Sequence, residues 1–589
     1  MLERDTKKLD RPMNEVTPDL IAQIASRMLN ELPGSPSAPT GIPDLPFGAG
    51  QSMPQVPSSP SMSSVTTMPP TSQFPSMPAM PSPNTGAFQT PIPGTSLPGM
   101  ALPSFPQPSL PSQITFPWSV AEVPHGSNAA SSGHGGEYDG LKGFVEKLRS
   151  TNSRSQGGLC AESPEQSILH RLLSGNSSAT PATGARPFDV TSIRKDFPVL
   201  NQQVNGKPLV WLDNAATTQK PQSVIDTISN YYSKDNSNIH RAAHTLAARS
   251  TDAFEKAREK VQRFIGASSA KEIIYVRGTT EGINLIAQTY GRKFLQPGDE
   301  IILSTLEHHA NIVPWQMVAK EKGAVIRVIP VNDRGEVMLE QYQALLGPRT
   351  RLVSLAHASN ALGTILPVVE MIQMAKRFNA RVLVDGAQSV AHLPVNVQQW
   401  DVDFFVFSGH KIFGPTGIGA VFAKEELQEI MPPWQGGGNM IKNVTFEETT
   451  YSPPPAKFEA GTPNIADAVG LGAALDYVNR LGLSNIAKYE HELLEYGTEK
   501  LREINGLRMI GTAREKVGVL SFVLPNRRTE EIGKALDAEG IAVRSGHHCA
   551  QPSLRRFGVE TTVRPSLSLY NTKDDLDRLA DAVRRIHRT

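Results

Sequence analysis

Apolar and polar positions are distributed in two different ways along this chain. From about Phe188 onward, short apolar runs alternate with amphipathic stretches. The runs are EIIYV (272–276), EIILS (300–304), VIRVIP (325–330), RLVSLAH (351–357), RVLVDGAQ (381–388), FFVFSGH (404–410) and GAVFAK (419–424). Four or five consecutive apolar residues bounded by turn formers predict strands buried on both faces. Helix-like segments lie between most of them, which predicts an α/β fold with a parallel or mostly parallel sheet covered by helices. Nearer the C-terminus, SNIAKYEHELLEYGTEKLREI and KDDLDRLADAVRRIH read as helices and VGVLSFVL contains a strand. The pattern therefore predicts a large domain over 186–475 and a small C-terminal α/β domain over 476–589.

Residues 1–185 follow no such period. Between Pro33 and Ala121 the only charged residue is Asp44, and residues 31–120 hold 22 of the 47 prolines. Proline fixes φ and removes backbone donors, so this stretch is expected to be disordered, with polyproline-like pieces. Pieces such as GIPDLPFG, TPIPGTSLPGM and LPSFPQPSLP look like spaced apolar stickers rather than an inert linker. Ahead of it, TPDLIAQIASRMLNEL carries a capping Thr17, Pro18 at the first helical position and Asp19 at the positive helix end. Leu20, Ile21, Ile24, Met28 and Leu32 share one face, so this short helix is expected to dock on something. LKGFVEKLRS (141–150) and PEQSILHRLLSG (164–175) are two further helical patterns.

Composition narrows the function. A net charge of +1 gives no electrostatic case for nucleic acid or an anionic membrane. No apolar run is long enough to cross a bilayer, and MLERDTKKLDRP does not read as a signal peptide, so the expected location is the cytoplasm. Two cysteines, Cys160 and Cys549, form no disulfide framework, and the 14 histidines come without CxxC pairs, so no metal is expected.

The informative residues cluster at the carboxyl ends of the expected strands, where ligands of such sheets sit. In RGTTEGIN, a glycine turn is followed by Thr279 and Thr280 opening a helix, which suits a phosphate as well as ordinary capping. Asp385 ends a buried run and needs a cationic or N–H partner: a metal, a cap or a protonated pyridine nitrogen. Lys411 follows another buried run, flanked by Ser408 and His410, and could form a Schiff base. His308 follows EIILS; zinc ligation is possible, but stacking on a pyridine ring fits the rest better. A phosphate cradle, an acid for a pyridinium and a lysine for an aldehyde are the requirements of pyridoxal 5′-phosphate (PLP). Cys549 lies in VRSGHHCAQP and has three readings: buried small hydrophobe, metal ligand or nucleophile. The metal reading is disfavoured, because consecutive residues on extended chain point opposite ways.

NAATTQKP, NIHRAAHTL, RGTTEGIN, EHHANIVPWQ, DGAQSV, FSGHKIFGPTGIG, PPWQGGGNMI, FEAGTPN, RSGHHCAQP and SLYNT resemble group II cysteine desulfurases of the SUF iron–sulfur assembly system. These SufS-type enzymes belong to the fold-type I, aspartate aminotransferase-like PLP superfamily, and the resemblance runs from about Pro187 to Arg588. It implies that Lys411 carries PLP and moves protons, Asp385 pairs with the pyridine nitrogen, Gln388 bonds the ring hydroxyl and His308 stacks on the ring. Thr279, Thr280, Ser408 and His410 would bind the phosphate, with Thr462 reaching it across a homodimer interface. Arg564 would clamp the substrate carboxylate, helped by Asn360, while Arg544 and His240 line the substrate pocket. Cys549 would be the nucleophile that takes sulfur from L-cysteine as a persulfide, releasing alanine, and hands it to a SufE- or SufU-like acceptor. Pro565 departs from the small residue that family members often have after the clamping arginine.

Residues 1–185 have no counterpart in ordinary SufS-type enzymes. The combination resembles cysteine desulfurases packaged as cargo in family 2 encapsulin shells, which implies an extension that directs loading through many weak contacts. Cys160, within it, reads as incidental. Rival readings are a selenocysteine lyase, a PLP epimerase, a desulfurase whose extension binds another partner, or an inert scaffold. Intact Cys549 speaks against the epimerase, and the complete set of Lys411, Asp385, His308, Cys549 and Arg564 against the scaffold.

Overall fold

A computed structural model of the chain describes residues 188–239 and 243–588, all within one unit of the chain, Gly136–Thr589. The expectations placed on residues 1–185, including the helix after Thr17 and the reading of Cys160, lie outside the described residues, as does His240.

All seven apolar runs are strands: β1 (Ile273–Val276), β2 (Glu300–Ser304), β3 (Val325–Ile329), β4 (Thr350–Ala356), β5 (Arg381–Asp385), β6 (Phe404–Ser408) and β7 (Gly419–Ala423). They form one sheet in the order β1-β7-β6-β5-β4-β2-β3. β7 is antiparallel to both its neighbours, and the other recorded pairings are parallel. The expected mostly parallel sheet is therefore observed. The near-continuous apolar character follows from burial on both faces. Phe404 and Val406 enter one core cluster, while Phe405 and Phe407, pointing the other way, enter a second. Edge strand β3 is the exception, with Val325 and Val328 exposed.

Helix α1 (Thr245–Ile265) starts where His244 Nδ1 accepts the Ala247 N–H and stops at Gly266, whose φ is +69°. Helix α2 (Thr279–Ile286) follows β1 after the two residues Arg277 and Gly278, and α3 (Ile465–Leu481) packs against α1. Downstream, α4 (Leu483–Arg502) and α6 (Lys573–Arg588), with α5 (Thr529–Ala538) between them in sequence, accompany a second, four-stranded sheet. Its strands are β8 (Arg508–Met509), β9 (Phe522–Val523), β10 (Arg544–Gly546) and β11 (Thr562–Arg564), in the order β8-β9-β11-β10. Leu493, Leu494 and Leu501 of α4 join Leu576, Leu579 and Val583 of α6 in one core.

Val210 and Leu212 join that C-terminal core, and Val210–Trp211 pairs in parallel with Ile541–Ala542. The segment before the NAATT motif thus runs into the C-terminal layer and then returns to the large sheet. Periodicity does not reveal this, because the partners are more than 300 residues away.

Gly419 fixes how closely β7 approaches its neighbours. A Cβ there would lie 2.5 Å from the Phe407 carbonyl oxygen and 2.7 Å from Gly278 Cα. Both obstacles are backbone, so neither can swing aside. Gly419→Ala is expected to lower stability by about 1–3 kcal/mol, read as a lower denaturant midpoint at unchanged m-value.

Candidate active site

Five parallel strands deliver their carboxyl ends to one cavity of about 210 Å³. β1 leads to Thr279 and Thr280, β2 to His308, β4 to Ala358 and Asn360, β5 to Asp385 and Gln388, and β6 to Ser408, His410 and Lys411. The C-terminal layer closes it with Arg544, His548, Cys549 and Arg564. Of the residues singled out in the sequence, all line this cavity except Thr462 and the undescribed His240. Thr462 is exposed, and its Oγ1 accepts from Asn238 Nδ2 at 3.2 Å.

One end is an anion cradle. The Thr279 N–H donates to Ser408 Oγ at 2.8 Å, and the two hydroxyls stand 2.9 Å apart. Gly278, at φ +156°, leaves room for that contact, since a Cβ there would be 3.0 Å from Ser408 Oγ. Thr279 and Thr280, which open α2, line the same cavity with Ser408 and His410, an arrangement suited to phosphate.

Asp385 is 5% exposed; its Oδ1 accepts the Ala387 N–H at 2.9 Å. Burial pushes its carboxyl above the usual range, against the pull of the Ala387 N–H and Lys411. A cation beside it would restore the ionised form. Burial lowers the Lys411 ammonium to about 8, against the pull of Asp385. Burial also lowers His308 to about 3, with Lys411 adding to the effect, so its imidazole is neutral. The Ala310 N–H donates to His308 Nδ1 at 3.0 Å, which leaves the ring proton on Nε2. Gln388 Nε2 donates to the Ala215 carbonyl at 2.6 Å. A desolvated carboxylate in want of a cation, a lysine with an accessible neutral form and an anion cradle fit PLP.

At the other end Arg564, 2% exposed, donates from one terminal nitrogen to the Asn360 carbonyl at 2.8 Å and from the other to Asp213 Oδ1 at 3.3 Å. Its Nε has no partner, and burial lowers its pKa to about 10. Arg544 shares Asp213, reaching Oδ2 at 3.3 Å. Asp213 was not among the residues singled out in the sequence; its only signal was an acid just before NAATT. Pro565 leaves Arg564 in the cavity, and its carbonyl accepts the Leu520 N–H at 2.9 Å.

Cys549 is half-buried, in a turn where both His548 and Cys549 have φ of +52°. Left-handed non-glycine residues cost about 1–3 kcal/mol each and persist only where the surroundings hold them. Three contacts do so. The His309 N–H donates to the Cys549 carbonyl at 2.8 Å, and Asn360 Nδ2 to the His548 carbonyl at 2.6 Å. His548 Nε2 is turned inward to Thr562, 2.9 Å from its Oγ1. Beneath the site, Glu307 is fully buried between Ser304 Oγ at 2.5 Å and Asn311 Nδ2 at 2.6 Å, and burial raises it to about 7.

Residues 210–579 match the aminotransferase class-V family, and the chain belongs to it. Members of this family are PLP-dependent. Among its relatives, a cysteine desulfurase of Synechococcus elongatus is 63% identical over 405 residues, spanning 69% of this chain and 65% of its own length. This chain thus covers less than two thirds of that relative. A cysteine desulfurase of Dickeya dadantii is 50% identical over 402 residues, 68% of this chain and 97% of its own. The crystal structure of the cysteine desulfurase CsdA from Escherichia coli superimposes with a TM-score of 0.63 at 40% identity, covering 68% of this chain and 98% of its own. No helix among the described residues is long and apolar enough to cross a membrane.

Proposed function

We propose that the chain is a PLP-dependent cysteine desulfurase of the SufS type, converting L-cysteine to L-alanine and leaving the sulfur on Cys549. One observation carries this reading: a half-buried, free Cys549 opens onto the same cavity as Lys411, Asp385 and Arg564. A transaminase has no need of such a thiol.

PLP supplies an electron sink that labilises bonds at the substrate's α and β carbons. Asp385 holds the charge that keeps the ring nitrogen protonated. Thr279, Thr280, Ser408 and His410 hold the phosphate, and Gln388 and His308 fix the ring. Lys411, with its amine near neutrality, takes and returns protons. Arg564 receives the substrate carboxylate, helped by Asn360, and Arg544 and His240 line the pocket. The Cys549 thiolate attacks the substrate sulfur, the Cβ–Sγ bond breaks with its electron pair going to carbon, and that carbon is protonated. Cysteine and a thiol thereby become alanine and a persulfide, with no external oxidant or reductant.

Arg564→Lys removes the planar two-pronged donor that suits a carboxylate. It is expected to raise KM for L-cysteine roughly tenfold or more with a smaller change in kcat. Steady-state alanine formation measures both.

A persulfide on a short turn is then collected by an acceptor of the SufE or SufU kind, for iron–sulfur cluster assembly or sulfur storage. The active unit is a homodimer in which Thr462 completes the partner's phosphate site. Residues 1–185 direct loading into an encapsulin-type shell, which their spaced apolar stickers and single charge between Pro33 and Ala121 support. Co-expression with such a shell is expected to encapsulate the full chain but not a chain lacking 1–185. Equal loading of both would refute this role of the extension. The desulfurase reading is tested by release of sulfide and alanine from L-cysteine; selenocysteine would be turned over at the same site.

A further inference from the structure

Three metal-ligating side chains meet around Cys549, which lines the cavity. His309 comes from the segment after β2, and His547 and Cys549 from the turn after β10. One donor atom from each lies within 4.8 Å of the other two. The sequence argued against a metal at HHC because neighbours on extended chain diverge. The structure removes that objection. His547 and Cys549 are not neighbours: they stand two apart across the turn that holds the left-handed pair His548 and Cys549, and their donor atoms come together. His548 is turned away to Thr562, and His309 replaces it from a segment more than 200 residues distant.

Each imidazole has one unprotonated nitrogen, engaged by a single backbone N–H. The Cys549 N–H donates to His547 Nδ1 at 3.0 Å, and the Gln551 N–H to His309 Nε2 at 3.3 Å. A ring nitrogen that accepts carries no proton, so each neutral ring keeps its proton on the other nitrogen. The rings stack at 5.7 Å between centroids, 27° from parallel. Two imidazole nitrogens and a thiol sulfur are a donor set that zinc and similarly soft ions prefer to oxygen-seeking ones. Zinc bonds of about 2.0–2.3 Å place tetrahedral donors about 3.3–3.8 Å apart, inside the 4.8 Å that bounds this cluster. His547 is exposed and the Gln551 bond to His309 is long, so both rings can close in by giving up one backbone contact each.

We propose that His309, His547 and Cys549 form a three-ligand binding site for Zn²⁺ or an ion of similar softness, with the fourth position left to water. As the metal–sulfur bond forms, the thiol proton leaves to solvent; both rings stay neutral and nothing is oxidised or reduced. A sulfur held by the metal is not free to attack substrate. The site is therefore a reversible brake on persulfide formation. The brake rests on the desulfurase reading; the metal site does not.

The test uses the full-length, PLP-loaded chain, stripped with a chelator and brought to equilibrium by dialysis against Zn²⁺, with bound zinc counted per chain. One tightly held zinc per chain is expected. Cys549→Ser, His309→Ala and His547→Ala are each expected to weaken it roughly tenfold or more, while His491→Ala, at a histidine of α4 outside the cluster, leaves it unchanged. Co²⁺ in place of zinc is expected to give a thiolate-to-cobalt absorption band that Cys549→Ser lacks. No tight zinc, or a zinc that survives all three replacements, overturns the site. Zinc binding is read without turnover. A chain that holds zinc through these ligands but forms no alanine therefore contradicts only the desulfurase reading. A chain that forms alanine but holds no zinc contradicts only the metal site.

Discussion

Cys549→Ala is expected to lower alanine and sulfide formation from L-cysteine by roughly a thousandfold or more, while the yellow cofactor absorbance and the fold persist. Cys549 contributes no side chain to the core: it is half-buried, and its recorded hydrogen bonds are made by its backbone. Alanine can keep both the Cys549 carbonyl contact to His309 and the N–H contact to His547. The loss would therefore fall on sulfur transfer alone. Full activity in this variant, measured as alanine formed at saturating L-cysteine, would remove the nucleophile from the mechanism.

Lys411→Ala is expected to abolish turnover to a similar extent and, unlike the cysteine variant, to remove the Schiff-base absorbance. The reason lies in its burial, which brings the ammonium down to about 8. Only the neutral amine can attack an aldehyde. The rate at which the cofactor-free chain takes up PLP should therefore climb as pH rises through about 8 and then level off. A solvent-exposed lysine would keep gaining to about 10.4. A pH profile of imine formation, followed by absorbance, distinguishes the two.

Much of the site was legible because its chemistry is local. Each buried strand was an uninterrupted apolar run, and Thr279, Asp385, Ser408 and Lys411 stand at or just beyond the ends of such runs. What the sequence concealed depends on contacts between distant segments. Asp213 pairs with Arg564 and Arg544, more than 300 residues onward, and neither end signals the other. Glu307 sits beside the quoted His308, yet nothing in LEHHAN says that its carboxyl is sealed between Ser304 and Asn311. The left-handed turn at His548 and Cys549 was hidden for another reason. Neither residue is glycine, and the conformation is held by contacts with the distant His309, Asn360 and Thr562.

The most direct test of the account is the mass of the Cys549 peptide after the PLP-loaded chain meets one equivalent of L-cysteine without an acceptor. The account predicts one added sulfur atom on Cys549, alanine released in equal amount, and neither event in Lys411→Ala. Alanine formed while the Cys549 peptide stays unmodified at every time point, or sulfur found on Cys160 instead, would contradict it.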